Sequence, residues 1–253
     1  MINLSEAQIL AWITPLLWPF LRALALLATV PVFSQRAVPM RVKIGLAGFI
    51  ALAAQPSLPA MPVVPLDSPL AFMVVAQQVL VGVTMGFAVR LVFAAVEMGG
   101  ELIGLQMGLN FAGFFDPATG GQTTAVSRFF GVTVSWLFIV TGGHLLVIAG
   151  VMQSFESFPV GPEPFAFVKA AQPHRWGAEV FAIGLWIALP MVAMLLFVNL
   201  VMGVAARVAQ QLNLFAIGFP ITLGVGLVGV LLTLPMMQAP FTMALERMLQ
   251  HFQ

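Results

Sequence analysis

The sequence predicts an all-α, multi-pass membrane protein of kinked helical hairpins, with about six hydrophobic segments plus a Gly/Glu-rich helix and a plug-like loop. Two observations carry this expectation. Of 253 residues, 60% are hydrophobic and only 8% charged, with a mean hydropathy of +1.04, whereas soluble domains carry roughly 25% charged residues. The charge-free runs are also long, and crossing a bilayer takes about 20 mostly apolar residues. Net charge is +1, from ten Lys and Arg against nine Asp and Glu, so there is no basic field to attract nucleic acid. Cysteine is absent, which removes disulfides, thiolate metal sites and cysteine nucleophiles together. Residues 1–8 hold Glu6 and no Lys or Arg; without the basic start of a signal peptide, the first apolar segment is expected to stay in the mature protein.

Taken in order, the first segment covers residues 9–33 and is interrupted by Pro15, Pro19, Arg22 and Pro31. The second begins at Ile44 and is convincingly helical only to Ala54, after which the proline-rich stretch from Pro56 to Pro69 enforces an extended connection. Residues 70–89 form a clean third span, and residues 129–155 an uncharged fourth. The fifth, 180–206, contains Pro190 and Asn199, and the sixth, 214–237, contains Pro220 and Pro235. Internal prolines predict kinked helices whose freed carbonyls need protein or water partners. If six spans alternate, Arg36, Arg41, Lys43, Arg90, Arg128 and Arg207 share one side and Lys169, Arg175 and Arg247 the other. The richer side is cytoplasmic, which puts both termini outside the cytoplasm.

Residues 91–113 are not an ordinary span. They are apolar in tone yet hold Glu97, Glu101, Gln106 and Asn110 among repeated glycines. At helical spacing Glu97, Glu101, Gly104 and Gly108 fall within about 60° of one another, giving one face that is both acidic and small. Gly100, Gly104 and Gly108 make two overlapping G-x-x-x-G steps, the spacing that lets helix backbones approach closely. Carboxylates beside such a stripe do not face lipid. They can be polar glue between subunits, a pore lining or an ion site. The helix is expected to break from Phe111 onward, where Asp116-Pro117 and Gly120-Gly121 favour turns. Phe111, Phe114 and Phe115 then tip an apolar loop that is either ordinary core or a constriction lining a passage.

Elsewhere the chemistry is sparse. Arg207, Gln210, Gln211 and Asn213 form a polar turn between the last two spans. Three scattered histidines have no metal-ligand spacing, and neither a P-loop nor a hydrolase motif is present. No cofactor, metal site or enzymatic activity is expected. Methionines can supply a deformable seal, and Met107 is the nearest to the loop in sequence.

Three stretches carry a family resemblance. Gly100-Glu101-Leu102-Ile103-Gly104-Leu105-Gln106-Met107-Gly108-Leu109-Asn110-Phe111-Ala112, with Asp116-Pro117 after it, resembles the flagellar biosynthesis protein FliR family. Ser34-Gln35-Arg36-Ala37-Val38-Pro39 with Arg41 resembles that family's first basic loop. Gln210-Gln211-Leu212-Asn213-Leu214-Phe215-Ala216-Ile217-Gly218-Phe219-Pro220 resembles its late polar motif. The resemblance implies a type III export-gate subunit of the bacterial inner membrane and flagellar basal body, assembled with FliP-like and FliQ-like subunits and an FlhB-like protein at the cytoplasmic mouth. It further implies a FliP-like portion over 1–175 and a FliQ-like hairpin over 176–253. A plug loop at about 108–121 would carry Met107, Phe111, Phe114, Phe115, Asp116 and Pro117 at the gate. Glu97, Gly100, Glu101, Gly104 and Gly108 would form a packing face, and Arg207, Gln210, Gln211 and Asn213 a cytoplasmic contact. Exported unfolded polypeptides and membrane lipid complete the expected partners, with no nucleic acid. The alternatives are the equivalent subunit of a virulence injectisome and a stand-alone secondary transporter using Glu97 and Glu101.

Overall fold

A computed structural model describes residues 6–109, 123–165, 167, 171–208 and 214–252. All regular structure among them is helical: α1 (Glu6–Thr29), α2 (Pro31–Ser34), α3 (Met40–Ala54), α4 (Pro69–Gln106), α5 (Ala125–Val140), α6 (Gly143–Ser157), α7 (Trp176–Val208), α8 (Leu214–Thr233) and α9 (Gln238–Gln250). Four of the described helical segments are long and apolar enough to cross a membrane, or up to five if α5 and α6 count as one broken span.

The helices correct several boundaries expected from the sequence. Residues 70–89 and the Gly/Glu-rich segment are one uninterrupted helix of 38 residues, α4. Arg90 is no break, because it lies on an exposed helical position where its long stem can carry the charge to water. At 1.5 Å per residue α4 is about 57 Å long, against about 30 Å of bilayer hydrocarbon, so one end of it must leave the lipid. The uncharged run 129–155 is instead divided, since Gly142 takes a left-handed φ of 74° between α5 and α6. The first segment breaks at Val30, before Pro31 opens α2. Segment two is the 15-residue α3, about 22 Å long and short of a full crossing.

The chain gathers into two compact units, each built from discontinuous stretches: Met1–Leu91, Gly142–Trp176 and Leu245–Gln253, then Val92–Thr141 and Gly177–Ala244. In the first unit α1 packs on α3, and α4 presses against α1 at Gly82 and Gly86. A Cβ at Gly82 would strike the Arg22 carbonyl and lie 2.8 Å from Ala25 Cβ, while one at Gly86 would lie 2.6 Å from Thr29 Cβ. Gly82→Val is therefore expected to force the helices apart at a cost of about 1–3 kcal/mol, read as a lower unfolding temperature in detergent. Wild-type melting would refute that contact. The tail closes the same unit: Phe252, fully buried, stacks on Phe167 at 5.7 Å and meets the edge of Trp176 at 5.7 Å. In the second unit Phe93 packs edge-on against Phe138 and Phe241, with centroids 5.6 and 5.9 Å away.

Candidate functional site

The sequence singled out the end of α4, and its local geometry starts from two small residues. A Cβ on Gly100 would lie 2.9 Å from Ser127 Cα and 3.0 Å from Phe130 Cγ, and one on Gly104 would lie 2.6 Å from Thr124 Oγ1. Glycine at these positions lets α4 approach the start of α5 closely. Polar groups then fill the contact. Thr124, the N-cap of α5, accepts the Ser127 N–H through its hydroxyl oxygen at 3.2 Å. Its own N–H and hydroxyl donate to Glu101 Oε2 at 2.9 and 3.0 Å. A carboxylate at this place answers an unsatisfied N–H and the positive end of the α5 dipole. Ser127 Oγ donates to the Glu97 carbonyl at 2.9 Å, completing the seam. Glu97 itself is exposed, with its side chain lying over Gly131.

Gly108 does not belong to that face. The helix ends at Gln106, and Gly108 turns left-handed with φ 79°. Its N–H donates to the Leu105 carbonyl and the Leu109 N–H to the Gly104 carbonyl, at 3.0 and 3.1 Å. This paired closure of a helix C-terminus favours glycine, which tolerates the left-handed backbone. The break thus falls before Phe111, where the sequence pattern had put it. Met107, fully buried, packs on α8: a Cβ at Gly226 would lie 2.7 Å from its sulfur.

Phe111, Phe114, Phe115, Asp116 and Pro117 lie outside the described residues, as do Gln210, Gln211 and Asn213. Arg207 is exposed in the last turn of α7, where a cation suits the negative end of the helix dipole. Among the described residues no group of three His, Cys, Asp or Glu side chains could hold a metal ion.

Sequence patterning treated Arg22 as a mere interruption of a span. In the first unit it is fully buried and organises a polar cluster. Its Nε donates to Gln78 Oε1 at 2.8 Å, one terminal nitrogen donates to both the carbonyl and hydroxyl of Ser154 at 2.8 Å, and the other donates to the Phe158 carbonyl at 2.9 Å. The guanidinium also lies 3.6 Å from the Phe155 ring centroid. Ser154 and Phe158 lie at the C-terminus of α6, the helix end that carries partial negative charge. A helix end thus balances the arginine. Gln77 serves the irregular chain beyond: its amide donates to the Pro159 carbonyl at 3.1 Å and accepts the Gly161 N–H at 3.0 Å. The available signal was a lone charge in an apolar run, which is a functional candidate by default.

Compared with known proteins, residues 13–248 match the model of the bacterial export proteins, family 1. The chain is 42% identical to the flagellar biosynthetic protein FliR of Escherichia coli K12 over 241 residues, covering 95% of this chain and 92% of that protein. It is 32% identical to the protein of that name from Bacillus subtilis 168, covering 83% of this chain and 82% of the relative. The Aquifex aeolicus VF5 protein is 31% identical, with coverages of 87% and 85%.

Proposed function

The chain belongs to the FliR family of bacterial export proteins, and from that premise we propose that it gates and lines the conduit through which unfolded flagellar substrates cross the inner membrane. It is a multi-pass membrane subunit of the flagellar export apparatus. The observation that carries the finer reading is the near full-length relationship to FliR at 42% identity. In this proposal the chain assembles with FliP-like and FliQ-like subunits, residues 1–175 being FliP-like and 176–253 a FliQ-like hairpin. Arg207, Gln210, Gln211 and Asn213 meet an FlhB-like protein at the cytoplasmic mouth. Exposed Leu185, Trp186, Leu189, Leu196, Phe197 and Leu200 on α7 support the packing of that hairpin against lipid and neighbouring subunits.

The gate would work sterically and without enzymatic chemistry, its energy coming from elsewhere in the apparatus. Support for the plug at about 108–121 comes from its anchor. The chain enters that stretch from a capped helix end, beside a buried Met107 that is pinned on α8. The two hydrogen bonds from Thr124 to Glu101 favour structural glue over an ion site, and so weigh against a secondary transporter. The flagellar names of the relatives weigh against an injectisome subunit.

Co-purification tests the assembly: one large complex with FliP-like and FliQ-like subunits is expected, and an isolated monomer or dimer that binds a small solute would overturn it. Deleting residues 111–115 is expected to make cell membranes leaky to small ions, and an unchanged leak would remove the plug.

A further inference from the structure

We propose that the groove between α1 and α3 binds an anionic phospholipid of the cytoplasmic leaflet, with an acyl chain in the groove and the phosphate on Arg41. The groove has a volume of about 530 Å³ and lies within the first unit, with Trp12, Leu16 and Phe20 of α1 on one side and Gly48 and Leu52 of α3 on the other. None of its lining side chains is charged or carries an amide or hydroxyl group. It is open to the outside: Trp12 is 71% and Leu52 56% exposed, and a Cβ on Gly48 would meet nothing within 4 Å.

Charge and length together identify the occupant. At helical spacing Arg41, Gly45, Gly48 and Leu52 fall within about 60° of one another, so the α3 side of the groove shares one stripe with a cation near the helix start. Gly45 is exposed and a Cβ there would also meet nothing within 4 Å, which leaves bare backbone between the cation and the groove. Arg41 is exposed and has no hydrogen-bond or ion-pair partner for its guanidinium among the described residues. From Arg41 to Leu52 the helix rises about 16 Å, close to half of a hydrocarbon core of about 30 Å. Too short to cross, α3 has the length of one leaflet, and a lipid whose phosphate is level with Arg41 has its tail level with the groove. The Lys- and Arg-rich side that holds Arg41 is the cytoplasmic one, where the membrane surface is anionic. Lipid tails are as apolar as leucine, so burial alone favours no particular lipid; the groove holds a tail by fit, and Arg41 selects the headgroup by charge. The inference rests on the membrane fold and not on the conduit reading, so either can fail alone.

The test uses the full chain, with the subunits that purify with it, in phosphatidylcholine vesicles containing a rising fraction of either brominated phosphatidylglycerol or brominated phosphatidylcholine. Quenching of Trp12 fluorescence, taken as the difference from Trp12→Phe, is expected to reach half its maximum with the glycerol lipid at about one fifth of the mole fraction needed with the choline lipid, the worth of one cation at an anionic surface. Arg41→Gln is expected to erase that difference by raising the fraction of phosphatidylglycerol required and leaving that of phosphatidylcholine as it was. Gly48→Leu, whose side chain enters open space, is expected to fill the groove and remove the preference while the melting temperature stays as in the parent. Equal quenching by the two lipids in the parent, a preference that survives Arg41→Gln or Gly48→Leu, or a Trp12 that neither lipid quenches because a protein subunit covers it would overturn the site.

Discussion

Arg22→Leu is expected to destabilise the first unit by about 2–5 kcal/mol, because it strips donors from buried carbonyls that have few substitutes. The Ser154 carbonyl would keep the Phe158 N–H at 3.0 Å, and the Ser154 hydroxyl its own bond to the Val151 carbonyl at 2.6 Å. Gln78 Oε1 and the Phe158 carbonyl would lose the donors that Arg22 supplies. Relief of the charge's desolvation penalty offsets part of that loss, which is why the range is wide. Against a typical total stability of about 5–15 kcal/mol, the loss is enough to deplete the protein from membranes. Arg22→Lys separates charge from geometry: it keeps the cation but not the planar fork that reaches four acceptors on three residues at once. An intermediate melting temperature in detergent is expected for it. If lysine restores full stability, the fork is irrelevant; if leucine melts as the parent does, the cluster holds nothing together.

The same cluster explains what was legible in the sequence. Apolar runs and their proline punctuation announced an all-α membrane protein, since hydropathy and helix breaking are local properties. The partners of Arg22 are Gln78, Ser154 and Phe158, and no local pattern links residues so far apart. Arg90 was misread for a different reason. A charge between apolar runs marks depth in the membrane, and α4 continues through it without a break. Gly108 satisfied two rules at once, G-x-x-x-G spacing and the left-handed C-terminal glycine, and the second prevailed because α4 has already ended at Gln106 and Gly108 lies outside it. Gly82 and Gly86 make the same G-x-x-x-G step and were readable, yet they sat inside a span already explained by its hydropathy. The break at Gly142 left no trace in hydropathy, because Thr141-Gly142-Gly143 is as uncharged as its flanks.

The other large effect falls on the seam that holds the end of α4. Even Gly104→Ala would place a methyl 2.6 Å from Thr124 Oγ1 and 2.8 Å from Thr124 Cβ, and a β-branched cap residue has no flexible end to move aside. Gly104→Leu would push Thr124 out of its place, so overpacking of about 1–3 kcal/mol adds to the loss of an N-cap, about 0.5–2 kcal/mol. Glu101 would lose both bonds from Thr124 in the same step. Swarming should fall in the order parent, Ala, Leu, together with membrane abundance, since 1–2 kcal/mol already changes cellular levels several-fold. The cause can be isolated with Thr124→Gly, which removes the obstructing Cβ and oxygen while glycine remains an acceptable cap. Thr124→Gly should therefore restore Gly104→Ala more than it harms the parent. A double variant as poor as the sum of its singles would mean that crowding against Thr124 is not what makes glycine necessary at 104.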